Sequence, residues 1–207
     1  MTDIHGSTPK LASASGGLPS AVGWAQLLML DRLLPGDVAV DATAGNGHDT
    51  LFLARIVGAL GHVIAVDVQM AAVQETRRRL QEAGIATEAC TVVHAGHETL
   101  RQVVPDAWHG KVRGIMFNLG YLPGSDKSVI TRTETTLQAL EAAVALLAPK
   151  GLLTIAIYPG HAGGAEELRA IGHWATGLQP QLFEVQQLRP VNRTASPPEC
   201  WVVWRKA

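Results

Sequence analysis

The sequence predicts an α/β fold in which a mostly parallel sheet is covered by helices on both faces. Three observations favour this fold. Strand-like apolar runs alternate with helical stretches, two glycines follow the first of these runs, and the last two runs have no helix between them. Because a parallel sheet binds ligands at the carboxyl ends of its strands, the turns that follow the strands are the candidate functional regions.

Five strand-like runs alternate with helical stretches along most of the chain. The strands are predicted at 38–41, 62–67, 91–94, 113–119 and 152–158, and the helices at 18–34, 49–58, 70–83, 133–147 and 164–178. In the helix at 133–147, the apolar positions that recur at helical spacing and would face a sheet are Leu137, Leu140, Val144 and Leu147. The runs at 182–188 and 200–204 are predicted to close the sheet as an antiparallel hairpin.

The composition is that of a compact globular protein. Of the 207 residues, 47% are hydrophobic and 17% are charged. Residues 1–17 are rich in Ser, Gly, Thr and Pro and lack an apolar period, so they are predicted to form a flexible tail before one domain at 18–207. The net charge of −1 means that a nucleic-acid substrate would need a local basic patch.

Cysteine usage and hydropathy predict a cytoplasmic protein. Cys90 and Cys200 have no metal-ligand spacing and are expected to be buried thiols in a reducing compartment. The N-terminus lacks the layout of an export signal, and no apolar run approaches the roughly 20 residues needed to span a bilayer. We therefore expect no metal site and no membrane partner, while the sequence leaves the oligomeric state open, a homodimer included.

The stretch DATAGNGHDT, at 41–50, forms the first strand-to-helix turn. A phosphate-binding P-loop needs Gly-Lys-Ser/Thr after the glycines, and this chain has Gly47-His48-Asp49 instead. A dinucleotide fingerprint needs a third glycine where Thr50 stands. The dinucleotide fingerprint also rarely carries an acid at the end of the strand, because pyrophosphate is negative.

Acidic residues beside two glycines suit a cationic ligand. The pattern Asp-x-x-x-Gly-x-Gly, formed by Asp41, Gly45 and Gly47, is that of methyltransferases that bind S-adenosylmethionine, whose ammonium and sulfonium would also suit Asp49. Asp67 ends the second strand 20 residues after Gly47, where a carboxylate can accept both ribose hydroxyls. Together the two features predict an S-adenosylmethionine site.

The turn after the fourth strand, FNLGYLPGSDK at 117–127, predicts the site of the methyl acceptor. Amino-group methyltransferases carry Asn/Asp-Pro-Pro-aromatic here. A carboxamide oxygen and the next backbone carbonyl can hold the N–H bonds of an amine while its lone pair points at the methyl carbon. Asn118, the carbonyl of Leu119 and Tyr121 fit these roles, although Leu-Gly replaces Pro-Pro.

Five strings together resemble one family: DATAGNGHDTLFLA, FNLGYLPGSDKSV, TTLQAL, IAIYPGHAGGAEE and NRTASPPECWVV. It is the bacterial rRNA methylase family, which includes the YtqB/MnmM-type tRNA 5-(aminomethyl)-2-thiouridine methyltransferases. The resemblance runs from about Leu18 to Arg205. It implies a seven-stranded Rossmann-like class I methyltransferase fold with an antiparallel last strand. It also implies methylation of the exocyclic amine of a modified wobble uridine, in the anticodon region of tRNA.

The resemblance also assigns residues. Carried over onto this sequence, it places Asn46, Asp67, Gln69 and the Gly96-His97 pair at the cofactor, and Asn118 and Tyr121 near the amine.

Residues that end or follow the site strands complete the predicted site. Tyr158 ends the fifth strand and His161 comes directly after it, so both would line the acceptor pocket. Four cations follow predicted site strands and are candidates for contact with the RNA backbone: Lys127, Arg132, Arg189 and Arg193. Two other functions remain open, a methyltransferase for rRNA or a small amine, and a non-catalytic module that binds S-adenosylmethionine or RNA.

Overall fold

The computed structural model describes residues 17–120, 131–160, 163–193 and 196–207. Apart from Gly17, the predicted tail lies outside the described residues. The strands are β1 (Val38–Asp41), β2 (His62–Asp67), β3 (Cys90–His94), β4 (Val112–Leu119), β5 (Leu147–Ile157), β6 (Phe183–Leu188) and β7 (Glu199–Arg205). The helices are α1 (Ala21–Arg32), α2 (His48–Val57), α3 (Met70–Glu82), α4 (Leu100–Val103), α5 (Thr133–Leu146) and α6 (Gly164–Thr176).

The strands form one seven-stranded sheet in the order β3-β2-β1-β4-β5-β7-β6. The first five strands pair in parallel, and β7 runs antiparallel to both of its neighbours. The predicted fold class and the closing hairpin are thereby confirmed. The chain reverses its direction of progress across the sheet between β1 and β4, and a crevice for ligands forms at such a switch point.

Two apolar layers cover the sheet because residues on each strand alternate between its faces. Ala39, Ala65 and Ala156 belong to the cluster that packs under α1, α2 and α3. Neighbouring positions such as Val40 and Ile155 belong to the opposite cluster, with α4, α5 and α6. Both faces of the central strands are therefore covered by apolar packing, and polar side chains are found at the carboxyl ends of these strands.

Helix α1 is shorter than the predicted 18–34. Ser20 is its N-cap, and the Ser20 hydroxyl oxygen accepts a hydrogen bond from the Gly23 N–H at 3.1 Å. The helix ends at Arg32 because Leu33 is already extended, two residues before Pro35. None of the helices in the described ranges is long and apolar enough to cross a membrane.

The boundary between α5 and β5 differs from the prediction. The helix ends at Leu146, and β5 starts at once with Leu147, which pairs with Val112. The prediction that Leu147 faces the sheet from a helix is therefore wrong, although the residue is fully buried. Helical spacing failed there because a buried strand and a buried helix end present the same apolar residues.

Candidate functional site

A cavity of about 780 Å³ lies at the carboxyl ends of the parallel strands. We call it the main cavity. Its walls come from the turns after β1, β2, β3, β4 and β5, from the start of α5 and from the segment before β7. Its lining residues include Thr43, Gly45, His48, Asp49, Asp67, Gln69, Gly96, His97, Glu98, Asn118, Thr131, Arg132, Thr135, Tyr158 and Ser196. The predicted cofactor turn and the predicted acceptor turn thus open into one space.

Asp41 organises the first turn from behind the cavity wall. Its carboxylate accepts hydrogen bonds from the Thr50 hydroxyl at 2.6 Å and from the Thr43 N–H at 3.1 Å. The side chain is buried and does not line the main cavity in the described part of the chain. Burial raises the pKa of Asp41 to about 7, and the nearby Asp49 carboxylate adds to the shift.

The two glycines of the turn are held against α3. Both have left-handed backbones, with φ of 53° at Gly45 and 75° at Gly47. A Cβ on Gly47 would lie 2.8 Å from the Thr76 Cα, so only glycine fits this approach. The Thr76 hydroxyl donates to the Gly45 carbonyl at 3.1 Å, and the Arg79 Nε–H donates to the Asn46 carbonyl at 2.5 Å. Gly45 lines the main cavity, whereas the predicted cofactor residues Asn46 and Gly47 are not among its described lining residues.

Asp67 joins the first two turns. Its carboxylate accepts hydrogen bonds from the Gly45 N–H and from the Gln69 N–H, both at 2.8 Å. Each carboxylate oxygen has a second lone pair, so Asp67 can still accept hydrogen bonds from a ligand in the main cavity. Asp67 and Gln69 both line that cavity, as predicted for cofactor contacts.

The Gly96-His97 segment, also predicted to contact the cofactor, lies beside this pair. Gly96 and His97 line the main cavity, and the His97 ring packs 5.9 Å from the Phe117 ring, centroid to centroid. Burial lowers the pKa of His97, which favours the neutral ring. A neutral aromatic wall suits contact with a heterocyclic base.

Asp49 and Asn118 meet in the part of the cavity near β4 and β5. Asn118 is exposed at the end of an otherwise buried strand, and its backbone N–H donates to the Thr43 hydroxyl at 2.7 Å. Asp49 is 7% exposed and accepts a hydrogen bond from the Gln26 Nε2 at 2.8 Å. Burial raises the pKa of Asp49, whereas hydrogen bonds from Gln26 and Asn118 and the nearby His48 lower it.

Tyr158 completes this corner of the main cavity. Its pKa is raised by burial and by the Asp49 carboxylate, so the phenol stays protonated at neutral pH. Tyr121 and His161, the other predicted acceptor-site residues, lie outside the described residues.

The predicted RNA-binding cations fall in two places. Arg132 lines the main cavity, at the start of α5. Arg189 and Arg193 line a second cavity of about 300 Å³, which shares Ser196 with the main cavity. We call it the arginine cavity. Lys127 lies outside the described residues.

Sequence reasoning missed Gln26, which contacts Asp49 but is not among the described lining residues of the main cavity, and several residues that do line it. Gln26 comes from α1, far along the chain, and Thr43 is one of the small residues of the first turn. Thr131, Thr135 and Ser196 are polar residues without a motif. Gln26 carried one signal, since it interrupts an apolar helical run. The others are identified by the fold alone.

The lining charges of the main cavity favour a cationic ligand. Among the described lining residues, Asp49, Asp67 and Glu98 carry carboxylates, and Arg132 is the guanidinium. This balance would repel a pyrophosphate and attract an ammonium or a sulfonium. The residues present therefore fit S-adenosylmethionine better than a dinucleotide.

Comparison with known proteins identifies close relatives of the chain. An Arabidopsis thaliana tRNA (mnm(5)s(2)U34)-methyltransferase, a chloroplastic protein, is 37% identical over 183 residues, which cover 85% of this chain and 64% of that protein. The chain thus spans just under two thirds of the length of this curated relative.

Solved structures agree with this comparison. A protein from Clostridium thermocellum, described as a "putative rRNA-methylase", is 34% identical, with a TM-score of 0.86 over 91% of this chain and 99% of its own. A "putative methyltransferase" from Streptococcus mutans, solved in complex with SAH, is 31% identical, with a TM-score of 0.81 and the same coverage of both chains.

The model of one protein family matches residues 63–204, which span β2 to β7 except for the first residue of β2 and the last of β7, and thus most of the sheet. The residues at the carboxyl ends of its strands, from Asp67 to Tyr158, fall inside the match. The chain belongs to the family described as "Putative rRNA methylase".

Proposed function

We propose that this protein is an S-adenosylmethionine-dependent N-methyltransferase that acts on tRNA. The methyl acceptor is the exocyclic aminomethyl group of a modified wobble uridine. The Arabidopsis relative, named for that reaction, and the Streptococcus mutans neighbour, solved with SAH, support the proposal. When bound, the cofactor supplies a methyl group made electrophilic by its sulfonium.

The observation that carries the proposal is the placement of Asn118. Asn118 is the last but one residue of β4; it is exposed and lines the main cavity, whereas its neighbours in the strand are buried. The Thr43 hydroxyl fixes its backbone to the cofactor turn, which keeps the carboxamide at a defined distance from that turn. A carboxamide oxygen there can accept an N–H bond of the amine and so orient the nitrogen lone pair.

The other residues hold the reactants. Asp67 and Gln69 lie where they can bind the ribose of the cofactor, with His97 as a wall for its adenine. Tyr158 supplies an aromatic face next to Asn118, against which a pyrimidine base can lie. A neutral phenol there adds no charge to the acceptor pocket.

RNA binding has to be local in a protein with a net charge of −1. Arg132 lies at the main cavity, and the arginine cavity holds Arg189 and Arg193 next to it. All three are exposed, so they can contact phosphates while the modified base enters the main cavity. A wobble base lies in a single-stranded loop, where unstacking costs less than in a duplex.

Methylation of rRNA is the second candidate function. It is favoured by the description of the family model, which names rRNA. The cavity itself admits either RNA, because both substrates would present a single base to the same acceptor turn.

Methyl transfer to defined RNAs separates the two candidates. The purified protein is incubated with the cofactor and with either tRNA carrying 5-aminomethyl-2-thiouridine or unmethylated ribosomal subunits, and the nucleosides are analysed by mass spectrometry. We expect one methyl group on the wobble nucleoside of tRNA and none on rRNA. Methylation of rRNA alone would support the second candidate, and methylation of neither would contradict both and leave a small-amine methyltransferase or a non-catalytic module.

The variant Asn118→Ala tests the acceptor turn in the same assay. We expect single-turnover rates to fall by one or more orders of magnitude, because the amine is no longer aligned, while calorimetry finds nearly unchanged affinity for S-adenosylmethionine. A wild-type rate in this variant would remove Asn118 from the acceptor site.

A further inference from the structure

Asp49 occupies an unusual position for a carboxylate. It lies in the first turn of α2, where the helix dipole favours an acid, yet only 7% of its surface is exposed. The exposed part lines the main cavity, next to Asn118 and Tyr158. A cap for the helix would not need this burial or this neighbourhood.

The partners of Asp49 are amides that hold it in place. The Gln26 carboxamide donates to its Oδ1 at 2.8 Å, and interaction with the Asn118 side chain lowers the pKa of Asp49. An amide orients its neighbours but takes up no proton at neutral pH. His48 also lines the main cavity and could take up a proton, but it is exposed, whereas Asp49 is buried beside Asn118 and is therefore the better placed acceptor for the proton of an ammonium.

The charged and titratable groups around Asp49 come from several elements. Asp41 at the end of β1 disfavours a second negative charge, and Asp67 at the end of β2 acts on Asp41 in turn. His48 on α2 favours the ionised carboxylate, and Tyr158 after β5 faces it as a neutral phenol. Arg132 at the start of α5 lines the same cavity. Burial has the largest effect, and it raises the pKa of Asp49.

We propose that Asp49 is a catalytic residue that accepts the proton of the substrate ammonium before methyl transfer. This inference rests on the proposed amine substrate, and it assigns to Asp49 a role other than binding the cofactor. Asn118 then orients the nitrogen, and Gln26 is a positioning residue for the carboxylate.

The step balances in protons and electrons. An alkyl ammonium has a pKa near ~10 in water, so it reaches the site without a lone pair. Transfer of one proton to the Asp49 carboxylate leaves a neutral amine and a neutral carboxylic acid. The nitrogen lone pair forms the bond to the methyl carbon, the carbon–sulfur bond breaks, and its electron pair stays on sulfur. The product is a secondary ammonium, and Asp49 returns its proton to solvent when the products leave.

The affinities of Asp49→Asn and of the wild-type protein for the cofactor and two of its analogues test the position of the carboxylate without any RNA. S-adenosylmethionine, S-adenosylhomocysteine and sinefungin share the amino-acid ammonium, but sinefungin carries an additional amine where the methyl group is held. We expect the variant to lose tenfold or more of its affinity for sinefungin and less than threefold for S-adenosylhomocysteine. An equal loss for all three would place Asp49 at the amino-acid ammonium and overturn the proposal.

The pH dependence of single-turnover methylation of the tRNA tests the proton transfer. We expect Asp49→Asn to be at least 100-fold slower at pH 7 and to recover about tenfold per pH unit as free amine accumulates. Gln26→Ala should fold and should move the acidic limb of the wild-type profile to higher pH, because the ionised carboxylate loses a donor. A slower Gln26→Ala enzyme with an unmoved limb would overturn the proposal.

These outcomes also distinguish a failure of the role proposed for Asp49 from a failure of the proposed function. If the wild-type protein leaves the tRNA unmethylated while the sinefungin difference is found, the substrate assignment fails and the position of Asp49 stands. If the tRNA is methylated while Asp49→Asn matches the wild-type rate at pH 7, the role of Asp49 fails and the function stands.

Discussion

Asp41, Asp49 and Asp67 lie close to one another, but their side chains point into different environments. Asp41 is buried in hydrogen bonds within its own turn, Asp67 bridges two turns, and Asp49 faces the acceptor side of the main cavity. Each environment gives the same carboxylate a different task. Substitution of each aspartate in turn therefore tests its own task.

The raised pKa of Asp41 should make the stability of the protein depend on pH. Its pKa rises from 3.8 to about 7 on folding, so the folded state binds a proton that the unfolded state has lost. The stabilisation is full below pH 4 and is lost as the pH rises to 7, by an amount on the order of a few kcal/mol. Urea unfolding of the ligand-free protein should follow this slope, and Asp41→Asn should flatten it. Asp31→Asn, at an exposed carboxylate of α1, is the matched control, and a wild-type slope in Asp41→Asn would contradict the prediction.

Substitution of Asp67 should reduce the affinity for the cofactor selectively, through the loss of hydrogen bonds to its ribose. Hydrogen bonds to a charged group contribute roughly 1.5–3 kcal/mol each, which corresponds to tenfold or more in Kd. Asp67→Asn should therefore weaken the binding of S-adenosylhomocysteine by at least tenfold in calorimetry. For the 2′-deoxy analogue of S-adenosylhomocysteine, the same substitution should reduce the affinity much less. Equal losses for both ligands would mean that Asp67 only shapes the two turns through Gly45 and Gln69.

At the scale of elements, the cofactor turn depends on α3. Thr76 and Arg79 of this helix bind the carbonyl groups of Gly45 and Asn46, and Gly47 packs directly on the helix backbone. Of the three consecutive arginines on this helix, Arg77 and Arg79 are bound to backbone carbonyls and Arg78 to Glu75 and Glu82. The run therefore supports the turn and the helix surface, and RNA contact is proposed for other residues.

Gly47→Ala tests the contact between the turn and α3. Gly84 is the matched control, since its φ of 71° is close to the 75° of Gly47, but a Cβ there would meet open space. Gly84→Ala should cost about 1 kcal/mol of stability through backbone strain alone. Gly47→Ala should cost roughly 2–4 kcal/mol, because the methyl group also collides with the Thr76 backbone. Equal losses in urea unfolding would show that the close approach to α3 is not rigid.

At the scale of the whole molecule, charge is arranged so that a nearly neutral protein can bind RNA at one place. Arg189 and Arg193 follow β6, and the fold sets them beside the main cavity through the segment before β7. The negative lining of the main cavity lies directly next to them. RNA would therefore be attracted at the rim, while the cavity itself admits the cationic cofactor and amine.

Salt dependence tests this arrangement. Arg189→Ala and Arg193→Ala should each weaken tRNA binding and reduce its dependence on salt by about one unit of slope, with unchanged affinity for S-adenosylmethionine. Arg78→Ala is the charge-matched control, because Arg78 is exposed but paired with Glu75 and Glu82 away from both cavities. An equal effect of Arg78→Ala would show that only net charge matters.

The sequence by itself determined the alternating fold, the ends of the strands and the polar residues placed there. Asp41 and Asp67 are the last residues of their strands and Asn118 is the last but one of its strand, and the period of apolar residues locates these carboxyl ends well because it reports local burial. Only the tertiary structure decided which acid faces which neighbour. Asp49 meets Gln26 of α1 and Asn118 of β4, contacts that span 23 and 69 positions of the chain. Spacing along a chain encodes backbone conformation, whereas such contacts depend on how helices pack on the sheet, which no local pattern specifies.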